Sequence, residues 1–164
     1  MTALKGINEI NNIINEFLVP FGLTAELGTD FDYCVLEDKI HYTLVVGDIC
    51  SKLFIENVEA RFPDVHADVF LWSLLHEIGH SETLDDLNDG VEELCMEIKR
   101  ELYRHQNWSI EDLHAIYFNC PDEKAATDWA GEYMMNHGKE ITIFWDKLQP
   151  VIKRFYELNK VEII

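Results

Sequence analysis

Ten residues constrain this chain more than any others: Leu71-Trp72-Ser73-Leu74-Leu75-His76-Glu77-Ile78-Gly79-His80. With Val69 and Phe70 ahead of them, the apolar residues Leu71, Trp72, Leu74 and Leu75 leave no polar face before the histidines. That pattern predicts a helix sunk in a core rather than laid on a surface. His76 and His80 are four residues apart, about one turn, so their imidazoles share a face. Two ring nitrogens so placed can bind one zinc ion. Glu77, roughly 60° around the helix from His80, reaches a water on that metal without being a ligand itself. Its carboxylate then suits the role of general base. The same pentad arises by chance on exposed, charge-rich helices; here the buried stripe before it and the small Gly79 within it favour a built site.

The rest of the chain reads as a small sheet followed by helices. Ile7, Ile10, Ile13, Ile14 and Phe17 recur at helical spacing over residues 3–18, and Pro20 with Gly22 ends that element. Leu23 to Leu27, Phe31 to Leu36 and Lys39 to Val46 are rich in β-formers, with Glu37-Asp38 as a hairpin turn between the last two. After a break at Gly47-Asp48, Ile49 to Arg61 predicts a helix with Leu53, Val58 and Phe62 inward. Pro63-Asp64 is the expected start of the His-bearing helix. Asp89-Gly90 opens a helix with Leu94, Cys95, Ile98 and Leu102 on one stripe; Ser109 opens the next, Pro121-Asp122-Glu123 another, and Gly138 precedes the last. With no linker, repeat or low-complexity tract, residues 1–164 are expected to form a single α+β domain: a small N-terminal antiparallel or mixed sheet and a mainly helical body.

A catalytic zinc takes a third protein ligand and keeps one position open. Asp86, ten residues after His76, sits at the spacing of a metzincin third ligand, but that geometry turns the chain back through a Gly three residues after the second His, where Thr83 stands here. Glu123 is the other candidate. It shares a helix face with Ala126, Thr127 and Ala130, and small residues there allow two helices to approach closely. The plainer explanation of Glu123 is first-turn compensation of the helix dipole, which Asp122 could supply alone.

Leu75-His76-Glu77-Ile78-Gly79-His80, followed by Glu123-x-x-Ala126-Thr127-x-Trp129-Ala130, resembles the ImmA/IrrE-type zinc metallopeptidases of the gluzincin group. The likeness covers roughly residues 35–137. It implies a zincin-like fold with one zinc per chain, His76, His80 and Glu123 as ligands, and Glu77 as general base. Thr127 falls where the family has Asn, a partner for a ligand histidine, and Trp129 where it has Phe. The implied substrate is a peptide or protein, such as a transcriptional repressor, presented as an extended strand. For the oxyanion donor that such chemistry uses, Tyr133, Tyr103 and His114 are candidates among which the sequence does not choose.

Charge narrows the partners. Thirteen Lys+Arg against 31 Asp+Glu give a net charge of −18, a field that repels phosphate and so disfavours direct nucleic-acid binding and anionic membrane surfaces. A basic cleavage segment would suit it. The first 20 residues show no secretory pattern and no run approaches the roughly 18 apolar residues of a membrane helix, so the expectation is a cytoplasmic protein whose four cysteines are reduced core thiols. The function expected is zinc-dependent hydrolysis of a peptide bond. The alternative is a non-catalytic module of the same scaffold that binds a protein partner around a structural zinc.

Overall fold

The structure is a computed structural model that describes residues 4–44 and 49–159, the side chain of Ile49 apart. In chain order its elements are α1 (Ile7–Leu18), β1 (Thr24–Leu27), β2 (Asp32–Cys34), β3 (Lys39–Tyr42), α2 (Ile49–Arg61), α3 (Val69–Thr83), α4 (Asp89–Arg104), α5 (Ile110–Phe118), α6 (Pro121–Asn136) and α7 (Gly138–Asn159). Single 3-10 turns occur at Val19–Phe21, Val35–Glu37 and Leu84–Asp86. The class is the expected α+β, and the three-stranded sheet is mixed. The chain divides into two compact units, one from the chain up to Leu44 and from Asn136 onward, the other from the stretch between.

In the first unit, Gly6 turns the chain with φ 85°, so the helix expected over 3–18 begins at Ile7. Its spacing buries Ile10, Ile13, Ile14 and Leu18, and Phe17 stacks on Phe144 of α7 with ring centroids 4.0 Å apart. Glu9–Arg154 and Glu16–Lys147 pair across the same seam at 3.0 and 2.9 Å. Both pairs are exposed and add at most about 1 kcal/mol each, so the apolar seam decides the packing. The strand order is β1-β3-β2, with β1 parallel and β2 antiparallel to β3. The β2–β3 turn falls where expected, and Asp38 closes it in the left-handed region (φ 48°). The run expected through Leu36 stops at Cys34 because Val35–Glu37 coils into a 3-10 turn. Val45 and Val46, expected to extend β3, lie outside the described residues, as does the break at Gly47-Asp48.

The second unit is built on α3. It starts five to six residues later than Pro63-Asp64 predicts, because Asp68 is the cap: its carboxylate accepts from the Phe70 amide at 2.8 Å. Residues before it form a turn in which Val65 N–H donates to the Phe62 carbonyl. As its all-round hydrophobicity requires, α3 buries Phe70, Leu71, Trp72, Leu74, Leu75, His76, Ile78 and Gly79. On α2, Val58 is fully buried and Leu53 partly so, and Phe62, just past its end, is also half-buried. On α4 the stripe differs from expectation at one position. Cys95 is buried and Ile98 and Leu102 are half-buried, but Leu94 is 50% exposed, so the inward face is rotated away from it. The cysteines also divide: Cys95 and Cys120 are core thiols, whereas Cys34 and Cys50 are only half-buried, and no disulfide joins the four. No described helix is long and apolar enough to cross a membrane.

Candidate metal centre

Two helices make the centre. α3 presents His76 and His80 on one face, with ring centroids 4.7 Å apart and planes nearly perpendicular. α6, opened by Pro121, turns Glu123 inward in its first turn and buries it with Ala126, Thr127 and Ala130. The helices can meet because Gly79 lies directly against the α6 backbone: a Cβ there would stand 2.4 Å from the Ala126 carbonyl oxygen. The space that the small Gly79 leaves is therefore taken up by a neighbouring helix. It brings one ligand atom from each of His76, His80 and Glu123 within 4.8 Å of one another.

The donor set fits a divalent metal. Two atoms bound to one zinc at 2.0–2.2 Å with tetrahedral angles lie roughly 3.4 Å apart, and His76 Nε2 to Glu123 Oε1 is 3.4 Å. His80 Nε2 lies closer to the other oxygen, 2.8 Å from Oε2. His76 Nδ1 meets Thr127 Oγ1 at 3.0 Å, which turns Nε2 toward the carboxylate; Nε2–H donates to Glu123 in the metal-free chain, and with Nδ1–H donating instead to the Thr127 hydroxyl Nε2 would offer its lone pair to a metal. The Phe54 ring packs edge-on against His76 at 5.3 Å and fixes its plane. His76 and Glu123 are 5% and 2% exposed, so a solvated dipole-compensating role for Glu123 is excluded. A buried His76, His80, Glu123 group that can hold a metal ion is thus present, as the sequence predicted.

The charges lock these groups together. Burial pushes the Glu123 carboxyl up, but hydrogen bonds and charge from His76 and His80 outweigh it and hold the group well below the ordinary carboxylate range. Burial likewise opposes charging of His80, yet the Glu123 hydrogen bond and the Glu123 and Glu77 charges raise it above its ordinary value. Glu77 is half-buried, close enough to act on His80, and is not one of the ligand group. Asp86 lies in an exposed 3-10 turn outside the group, and the cap of α4 is Asn88, which accepts from the Val91 amide.

Two further residues reach the centre that sequence reasoning missed. Lys99 of α4 places Nζ 2.5 Å from Asp122 Oδ2 and 3.5 Å from Glu123 Oε2, 5.1 Å above the Tyr117 ring. Tyr117 of α5 is 36% exposed, and its hydroxyl is the donor toward Glu123. Burial first, then the Glu123 and Glu77 charges, drive the phenol far above its usual range, so it stays a donor. The three donors considered from sequence have other surroundings. Tyr103 is 79% exposed, Tyr133 stacks on Trp129 at 4.9 Å, and His114 contacts Cys50 at 3.2 Å. Lys99 left a trace in the sequence, as a cation on the inward stripe between Cys95 and Leu102; Tyr117 left none, since no spacing links α5 to α6 side chains. Comparisons of the chain with family models, with curated proteins and with solved structures found no match.

Proposed function

We propose that this protein is a cytoplasmic zinc-dependent peptidase of the ImmA/IrrE-like, gluzincin type, acting on a peptide or protein substrate. The observation that supports this reading is the buried His76–His80–Glu123 group with Glu77 beside it, outside the ligand set. A purely structural site has no use for that additional carboxylate, which argues against the non-catalytic module.

Zinc, held by His76, His80 and Glu123, would supply Lewis-acid polarisation and a water of lowered pKa. The chain's own residues supply the rest. Glu77 takes a proton from the attacking water and returns it to the departing amine. Thr127 keeps His76 in the tautomer that offers Nε2. The Tyr117 hydroxyl, which bears on Glu123 of the ligand group, is the proposed donor to the oxyanion that develops on the substrate carbonyl. The strongly acidic surface favours a substrate segment carrying Lys or Arg.

Protein purified without added metal is expected to carry about one zinc per chain by elemental analysis. Glu77→Gln should keep that zinc while turnover of a cleaved peptide falls by roughly two to four orders of magnitude. A protein that takes up no zinc on titration overturns the metal assignment. A Glu77→Gln variant cleaving at the parental rate removes Glu77 as the base.

A further inference from the structure

Cys50 and His114 form a second pair of chemical groups that the metal centre does not use. Cys50 lies in the first turn of α2, a helix of 13 residues, and its Sγ is 3.2 Å from Nε2 of His114 on α5. Each feature separately favours the thiolate: the positive end of a helix dipole, and an imidazole that takes up the proton as imidazolium. Cys50 is also accessible, being half-buried. The contrast with the other thiols is sharp. Cys95 and Cys120 are 2% exposed, and burial pushes both up, Cys120 to about 11. The pair is one helical turn from a cluster of aromatic rings: Phe118 follows His114 at 5.2 Å, and Phe54 follows Cys50 along α2 and meets both Phe118 and His76.

We propose that Cys50 is a nucleophilic thiolate, paired with His114 at the amino end of α2, and a site of oxidation by hydrogen peroxide. The Cys50 sulfur attacks one peroxide oxygen and the O–O bond breaks. Sulfur is oxidised to sulfenic acid, peroxide is reduced, and the departing hydroxide leaves as water with the His114 proton. This inference stands apart from the peptidase reading, since its readout is the thiol itself.

The test treats the full native chain briefly with iodoacetamide at pH 6.5, and separately with one equivalent of peroxide and a sulfenic-acid trap, then maps all four cysteines by mass spectrometry. Cys34, also half-buried, is the internal reference. Cys50 should be alkylated about five to ten times faster than Cys34, the gain in thiolate fraction being partly offset by lower intrinsic nucleophilicity, and should be the main trapped position. His114→Gln, folded by circular dichroism, should slow Cys50 about tenfold and leave Cys34 unchanged. If that variant does not fold, the comparison of Cys50 with Cys34 in the parent decides alone. Cys50 reacting no faster than Cys34, no trapped adduct at Cys50, or an unchanged rate in folded His114→Gln overturns the proposal.

Discussion

Gly79→Ala is the smallest change that should break the metal centre without touching a ligand. The added Cβ would stand 2.4 Å from the Ala126 carbonyl oxygen and 3.0 Å from its carbonyl carbon and Cα, whereas ordinary contact begins at 3.4 Å. The obstacle is the α6 backbone and cannot rotate aside, so α3 and α6 must part by about 1 Å. Metal–ligand distances tolerate about 0.2 Å, and the displacement is several times that. The ligands sit on both helices, so the gap opens within the group. Alanine recovers roughly 0.5–1 kcal/mol of helix propensity over glycine, while overpacking costs about 1–3 kcal/mol. The net loss should be about 1–2 kcal/mol. Urea denaturation of metal-free protein measures that loss, and zinc affinity by competition with a chromophoric chelator should fall at least about 10–100-fold. Gly138→Ala is the control. Nothing lies within 4 Å of its Cβ position, so it should be neutral or slightly stabilising and bind zinc normally. A Gly79→Ala protein with parental stability and parental affinity would refute the idea that this contact sets the spacing of the ligands.

Glu123→Ala should weaken zinc binding sharply in the same competition assay while Asp86→Ala leaves it unchanged, because Glu123 is in the buried group and Asp86 is exposed outside it; the reverse pattern would move the third ligand. Tyr117→Phe should keep zinc and lower kcat about 10²–10³-fold with little change in KM, the usual worth of one oxyanion donor, and kinetics unchanged from the parent would remove it from the chemistry. Metal-free protein should be most stable, by thermal melting, between about pH 4.5 and 6.5, the ordinary values of Glu123 and His80. The depressed Glu123 contributes above its unfolded value and is lost as pH falls through its folded one; the raised His80 contributes below its unfolded value and is lost as pH rises through its folded one. Zinc should therefore raise Tm more at pH 8 than at pH 5.5, where protons compete for the imidazoles, and an equal rise at both would contradict the linkage.

What the sequence made legible follows from how local each rule is. His76 and His80 lie on one helix, and the helical repeat alone puts them side by side. Glu123 was reachable because Ala126 and Ala130 mark a face where another helix can approach, and the Gly79–Ala126 contact is the matching half. Ser109 and Pro121 open helices as expected because caps are satisfied within a turn. The start of α3 was misplaced because Asp64 and Asp68, four residues apart, are both residue types that cap helices, and the one that accepts from the first-turn amide is Asp68, with Val65 buried ahead of it. Lys99 and Tyr117 come from helices whose approach to α6 no short-range pattern encodes.

Those two residues matter to the charge of the centre. Glu77, Asp122 and Glu123 bring three carboxylates together, and Lys99 answers one of them. Two negative charges are left among groups that are wholly or partly buried, a state that costs several kcal/mol unless it is balanced. A raised His80 supplies a single proton's worth of compensation in the metal-free chain. A divalent cation supplies both charges at once and frees His80 to act as a neutral ligand. The arrangement is therefore better neutralised with a metal than without one, and Lys99 sets that balance: with its ammonium removed, three negative charges would remain and a divalent ion would leave one uncompensated.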